Sequence, residues 1–147
     1  KDGGLVLMDS PVVLPIMPGV AASYYPVQYV CGITPTEAGY KAYRIAPQPT
    51  GVKEAETLVP TVKGNIKVSF KDDERTFQLQ VNSPQGPRAT ICLPSQCKSI
   101  TLNNKLIWKN GKTYHKKQHS QMHHQDKDES IFITMKEGGN WTFNINK

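Results

Sequence analysis

At 147 residues the chain has the length of one domain, with 37% hydrophobic and 20% charged residues and eleven each of Gly and Pro, the profile of a globular, turn-rich protein and not of a disordered one. Eighteen Lys and Arg against twelve Asp and Glu leave a net charge of +6, but the lysines are scattered, with no basic helix or aromatic stacking motif beside them, which argues against a nucleic-acid partner. No apolar run reaches the ~18–20 residues of a membrane span.

The first residues, Lys1-Asp2-Gly3-Gly4, do not form the basic and apolar regions of a signal peptide. After them, Leu5 to Met8 and Val12 to Met17 are apolar, and Pro11, Pro15 and Pro18 break any helix that would contain them. Extended chain with turns is expected there. Val20 to Ile33 allows a short helix restarting at Pro26, a residue tolerated in a first helical turn. Residues 1–33 therefore read as an irregular or short helical N-terminal segment, and residues 34–147 as the folded domain.

Alternation of apolar and polar positions begins at Tyr40 and runs to Ile45, so the core is expected to need nothing before Gly32. Pro47 and Pro49 break the pattern, Glu54 and Glu56 precede its return, and beyond Pro60 it resumes as Ile66, Val68 and Phe70. Across the charged turn from Lys71 to Glu74, Phe77, Leu79 and Val81 face one way and Gln78 and Gln80 the other, which predicts an antiparallel hairpin. Further strands are expected at Ala89–Leu93, Ser99–Leu102, Lys105–Lys109, Ile131–Met135 and Trp141–Ile145. Asn103-Asn104 and Asn110-Gly111 suit two-residue hairpin turns, where positive φ is required, and Gly138-Gly139 joins the last two strands. Eight or nine short strands, each with one apolar face, predict an all-β, antiparallel β-sandwich, jelly-roll or Greek-key-like in its connections. Its expected core comprises Ile45, Ile66, Val68, Phe70, Phe77, Leu79, Val81, Ile91, Leu93, Ile100, Leu102, Ile131, Ile133, Trp141, Phe143 and Ile145.

Three phrases, YVCGITPTEAGYKAYRIAPQP from Tyr29, VPTVKGNIKVSF from Val59 and RATICLP from Arg88, resemble the C-terminal region of bacterial alpha-L-rhamnosidases of the inverting type. In that family the region is a β-sandwich that follows a large helical barrel, and the barrel holds the catalytic carboxylates. The resemblance implies a non-catalytic accessory domain, an upstream catalytic barrel of the same polypeptide as its partner, and a periplasmic or secreted setting. It also makes residues 1–33 the remnant of the link to the barrel. Where family members tend to carry an Asn-His-Tyr phrase lining the sugar pocket, this chain has Ala21-Ala22-Ser23-Tyr24-Tyr25. That pocket phrase is not matched, and no catalytic residue of the family falls on a matched position.

The residues themselves give little catalytic chemistry. Inversion at a glycosidic bond needs two carboxyl groups about 6.5–9.5 Å apart, one of them retuned as an acid. Here Asp72, Asp73 and Glu74 lie in a turn, and Asp126, Asp128 and Glu129 lie in a polar run, positions that solvate a carboxylate. The GxSxG turn of a serine hydrolase is absent. No catalytic residue and no cofactor is expected. Cys31, Cys92 and Cys97 lack CxxC spacing; Cys92 and Cys97 could bridge in an oxidising compartment, but a small apolar role for a free thiol suits Cys92 in its strand.

Two constellations compete with the accessory reading. His115, His119 and His123 stand at i, i+4 and i+8, a metal-ligating face if the segment were helical. The run from Lys112 to Ser130 is almost wholly polar, however, so a hydrated loop or a hairpin extension is expected. Trp108, Tyr114 and Trp141 could stack sugar rings as an autonomous carbohydrate-binding module. Both Trp residues lie in alternating strands, which favours packing.

Overall fold

The structure, a computed structural model, describes residues 30–114, 120–125 and 130–147. Among the described residues twelve strands form two sheets. The first five are β1 (Ile33–Pro35), β2 (Ala42–Ile45), β3 (Glu54–Thr61), β4 (Gly64–Asp72) and β5 (Thr76–Ser83). They are followed by β6 (Arg88–Pro94), β7 (Ser99–Leu102), β8 (Lys105–Lys109), β9 (Lys112–Thr113), β10 (Ser120–Gln125), β11 (Ser130–Met135) and β12 (Gly139–Asn146). One sheet has five strands in the order β1-β2-β6-β11-β10, and the other has seven in the order β3-β4-β5-β12-β7-β8-β9. All pairs are antiparallel except β2 with β6. The protein is an all-β sandwich, and among the described residues no helix is long and apolar enough to cross a membrane.

Alternation places the core. On the five-stranded sheet Ile45, Ile91 and Ile133 stand opposite one another across three strands, each wholly buried. On the seven-stranded sheet the corresponding row is Phe70, Leu79 and Phe143, with Leu102 beyond them half-buried. A fully buried side chain of this size contributes about 1.5–3 kcal/mol relative to an exposed one. The sheets also meet through a polar contact, since the Tyr43 hydroxyl donates to Ser83 Oγ at 2.7 Å and so satisfies a buried serine.

The hairpin β4–β5 has the expected register, Val68 opposite Val81 and Phe70 opposite Leu79, and Phe70 stacks on Phe77 with ring centroids 5.5 Å apart. Both two-residue turns form with positive φ at each central residue, 47° and 66° at Asn103 and Asn104, 47° and 80° at Asn110 and Gly111.

Elsewhere the structure departs from the pattern. Gly39 and Tyr40 turn through positive φ, so the strand expected from Tyr40 starts at Ala42. Glu54 and Glu56 lie inside β3, an edge strand whose inward positions include Ala55 and Thr57, too weakly apolar to announce a strand; at an edge Pro60 is tolerated. Gly138-Gly139 joins strands of opposite sheets. The core reaches back to Cys31 and Ile33, each 1% exposed, ahead of the first alternating residue. Gly32 between them has φ +67°, and a side chain there would run into the Ala46 carbonyl. Leu102, expected in the core, is half-buried and packs against its margin. A bulge between Ile100 and Thr101 sets Ile100 opposite Trp108 and Thr101 opposite Leu106, leaving Ile107 as an added residue; both Ile107 and Trp108 are buried, where strict alternation would admit one. The expected irregular or helical segment, residues 1–29 of it, lies outside the described residues.

Candidate functional site

The structure separates the candidate residues. Trp108 is 5% exposed and Trp141 6%, so both pack in the core, while Tyr114, at the end of the β8–β9 hairpin, is exposed. The three do not form a flat aromatic platform. His115 and His119 lie outside the described residues. His123 belongs to β10, opposite Phe132 in β11, so the hairpin reading holds for this stretch and the helical spacing does not apply at that end. Among the described residues no three or more His, Cys, Asp or Glu are grouped to hold a metal.

Three carboxylates near the sheets are ion-paired. Glu56 pairs with Lys67 at 3.2 Å, Glu37 with Arg88, and Asp72 with Lys147. None of these is the apolar enclosure that retunes a carboxyl group as a catalytic acid. The cysteines are free thiols, and burial pushes each up to about 11, which opposes the thiolate needed for nucleophilic attack. Arg44 near Cys92 pulls the other way without prevailing, and the Cys97 thiol donates to the Pro94 carbonyl at 3.2 Å.

A different surface stands out. On the outer face of the seven-stranded sheet the register aligns Lys67, Asn82 and Asn140 in one row, Ser69, Gln80 and Thr142 in the next, and Lys71, Gln78 and Asn144 in the third. The amides bond to each other: across strands Gln78 Nε2 donates to Asn144 Oδ1 at 2.8 Å and Asn82 Nδ2 to Asn140 Oδ1, and along β5 Gln80 Nε2 donates to Gln78 Oε1 at 3.4 Å. Two open depressions of about 520 and 270 Å³ lie on this face and share Glu56, Ser69 and Gln80 in their linings. Reading along the chain found the outward glutamines of β5 but could not join this strand to the asparagines of β12, which lie 66 residues from Gln78 and 58 from Asn82 in the two bonded pairs.

Residues 32–105, just over half of the chain, match the bacterial alpha-L-rhamnosidase C-terminal domain. The chain belongs to that family. No curated protein matches it. Among solved structures, it is similar to the alpha-L-rhamnosidase from Dictyoglumus thermophilum, with a TM-score of 0.69 and 18% identity over 87% of this chain and 14% of that one. It is also similar to the Streptomyces avermitilis alpha-L-rhamnosidase complexed with L-rhamnose, with a TM-score of 0.64 and 17% identity over 84% of this chain and 11% of that one. At these identities the likeness is one of fold. The chain spans about one seventh and one ninth of the two relatives.

Proposed function

We propose that this chain is a non-catalytic C-terminal accessory domain of an alpha-L-rhamnosidase-like glycoside hydrolase, packed against an upstream catalytic barrel of the same polypeptide and supporting it. The observation that carries this reading is the family match over residues 32–105, a domain named for its place at the C-terminal end of such enzymes. The chemistry agrees with it: the carboxylates named above are ion-paired at the surface and the thiols are held protonated, so none of these groups is prepared for glycosidic cleavage. Binding of sugar by Trp108 and Trp141 is not favoured, since stacking needs an exposed ring face and both rings are buried.

The test is hydrolysis of an aryl alpha-L-rhamnoside. The purified chain is expected to give no turnover above buffer, and a polypeptide that joins it to its upstream barrel is expected to be active. Turnover by the chain alone, abolished by Glu56→Gln or Asp72→Asn, would place the active site in this domain and end the accessory reading.

A further inference from the structure

We propose that the outer face of the seven-stranded sheet, from β4 across β5 to β12, is a binding site for a neutral polyhydroxylated chain, an oligosaccharide. The proposal is independent of any catalytic partner and rests on the composition, the bonding and the charge of this face.

Composition comes first. The outward positions of β12 are Asn140, Thr142, Asn144 and Asn146, and those of β5 include Gln78, Gln80 and Asn82. Asn is depleted in strands because its side chain competes with the backbone for hydrogen bonds. Four asparagines on adjacent strands lower strand propensity and add nothing to the core. A local rule broken repeatedly on one face, in strands β5 and β12 whose inner positions are apolar apart from Ser83, marks a place where something other than folding selects the residues.

The bonding shows what that face offers. A carboxamide has two N–H donors and an oxygen with two lone pairs. Gln78 uses one donor toward Asn144 and one lone pair toward Gln80, which leaves it one of each. Asn82 and Asn140 are tied to each other, and Asn146 Nδ2 donates to Ser99 Oγ at 2.9 Å, so each keeps further capacity in the same way. The ladder holds the amides in place before a ligand arrives, which reduces the ordering entropy that binding would otherwise cost. A row that both donates and accepts at neighbouring positions complements hydroxyl groups, which do the same. It complements a phosphate or carboxylate less well, since those only accept.

The charge supports this. Despite a net charge of +6 on the chain, this face is locally balanced: Glu56 pairs with Lys67, and Glu54 stands opposite Lys71 across β3 and β4. An anion would find no excess of positive charge there. The extent is adequate as well. From β3 to β12 there are three strand-to-strand steps of about 4.8 Å each, and the two depressions overlap along that line. A short oligosaccharide fits such a trough; with no exposed aromatic face in it, binding is through hydrogen bonds and is weak.

The experiment is an NMR titration of the 15N-labelled 147-residue chain with neutral hexasaccharides derived from rhamnan, xylan and mannan, and in parallel with hexagalacturonate and hexaglycine. At least one neutral hexasaccharide is expected to move the side-chain amide signals of Gln78, Gln80, Asn82 and Asn140 saturably, with an affinity indifferent to salt. The double substitution Gln80→Ala/Asn82→Ala is expected to weaken that binding about tenfold or more while the melting temperature stays within about 2 °C. The proposal is overturned if no neutral sugar gives saturable shifts, or if the double variant binds as well as the parent. It is equally overturned if hexagalacturonate binds more tightly in a salt-sensitive way, if hexaglycine matches the sugars, or if the shifts centre on Tyr114.

Discussion

The two sheets bury similar side chains on their inner faces and present different chemistry outside. On the seven-stranded sheet the outward residues of β5 and β12 are amides and hydroxyls, with the amides bonded to one another. On the five-stranded sheet Cys92 stands opposite Phe132 and Thr90 opposite Thr134, all half-buried, with Arg44 beside them. The contrast teaches that the core constrains one half of each strand only. Inner positions answer to packing, so they converge on Ile, Val, Leu and Phe, and outer positions are free to differ.

The largest expected effect sets the scale for that comparison. Phe143→Ala removes a wholly buried ring from the middle of β12 and is expected to cost about 3–5 kcal/mol in urea unfolding. Its outward neighbour Thr142→Ala should stay within about 0.5 kcal/mol. Comparable costs for the two would break the inner and outer assignment of β12. Gly32→Ala comes next, at about 1–3 kcal/mol, because the left-handed φ of +67° and the Ala46 carbonyl both resist a side chain. A neutral result would mean that the chain around Cys31 is no part of the core.

The outer faces themselves are compared by Phe132→Ala and Gln80→Ala. Loss of the half-buried ring is expected to cost about 1–2 kcal/mol, and loss of the amide about 0.5 kcal/mol or less, both read from denaturation midpoints. Equal values would erase the distinction between the faces. Tyr43→Phe is expected to cost about 1 kcal/mol, and the double variant Tyr43→Phe/Ser83→Ala less than the sum of the two single changes, since each single change leaves one partner of the inter-sheet bond unmatched.

The smallest effect at neutral pH is the titration of the thiols. Burial raises Cys31, Cys92 and Cys97 to about 11, above the ~8.5 of an unfolded cysteine. Between those values the unfolded chain releases protons that the folded chain keeps, so the contribution is complete below about pH 8.5 and is lost as pH rises toward 11. Melting curves are expected to be flat with respect to the thiols near pH 7 and to fall above pH 9, and Cys92→Ala should reduce that fall. An unchanged alkaline slope in Cys92→Ala would show that this thiol on the outer face of the five-stranded sheet does not share in it.

Much of this domain was legible in the residues themselves. The run from Gly64 to Lys109 reads strand by strand, because alternation with period two and the Asn-Asn and Asn-Gly turns are local signals. The phrases around Tyr29, Val59 and Arg88 were enough to suggest the family. What escaped did so for physical reasons. β3 at the sheet edge has one face turned to water and small residues on the other, and β10 has Met122 as its single apolar residue. Trp108 and Ile107 are buried together because a bulge breaks the alternation. Of the candidate site residues, the tryptophans proved to be core, and the amide ladder was invisible because its members belong to strands far apart in the chain.

By itself, then, the sequence determined most of the segments that become strands, which side of most of them faces inward and where the Asn-Asn and Asn-Gly hairpins turn, since these depend on neighbours a few residues away. Only the tertiary structure decided that β12 inserts between β5 and β7, that β2 lies parallel to β6, and that Gly138-Gly139 carries the chain from one sheet to the other. Those choices are made by hydrogen-bond partners tens of residues away, whose pairing no local period encodes. They are also what brings Gln78 to Asn144 and Asn82 to Asn140, and with them the outer surface on which this domain's binding is proposed to rest.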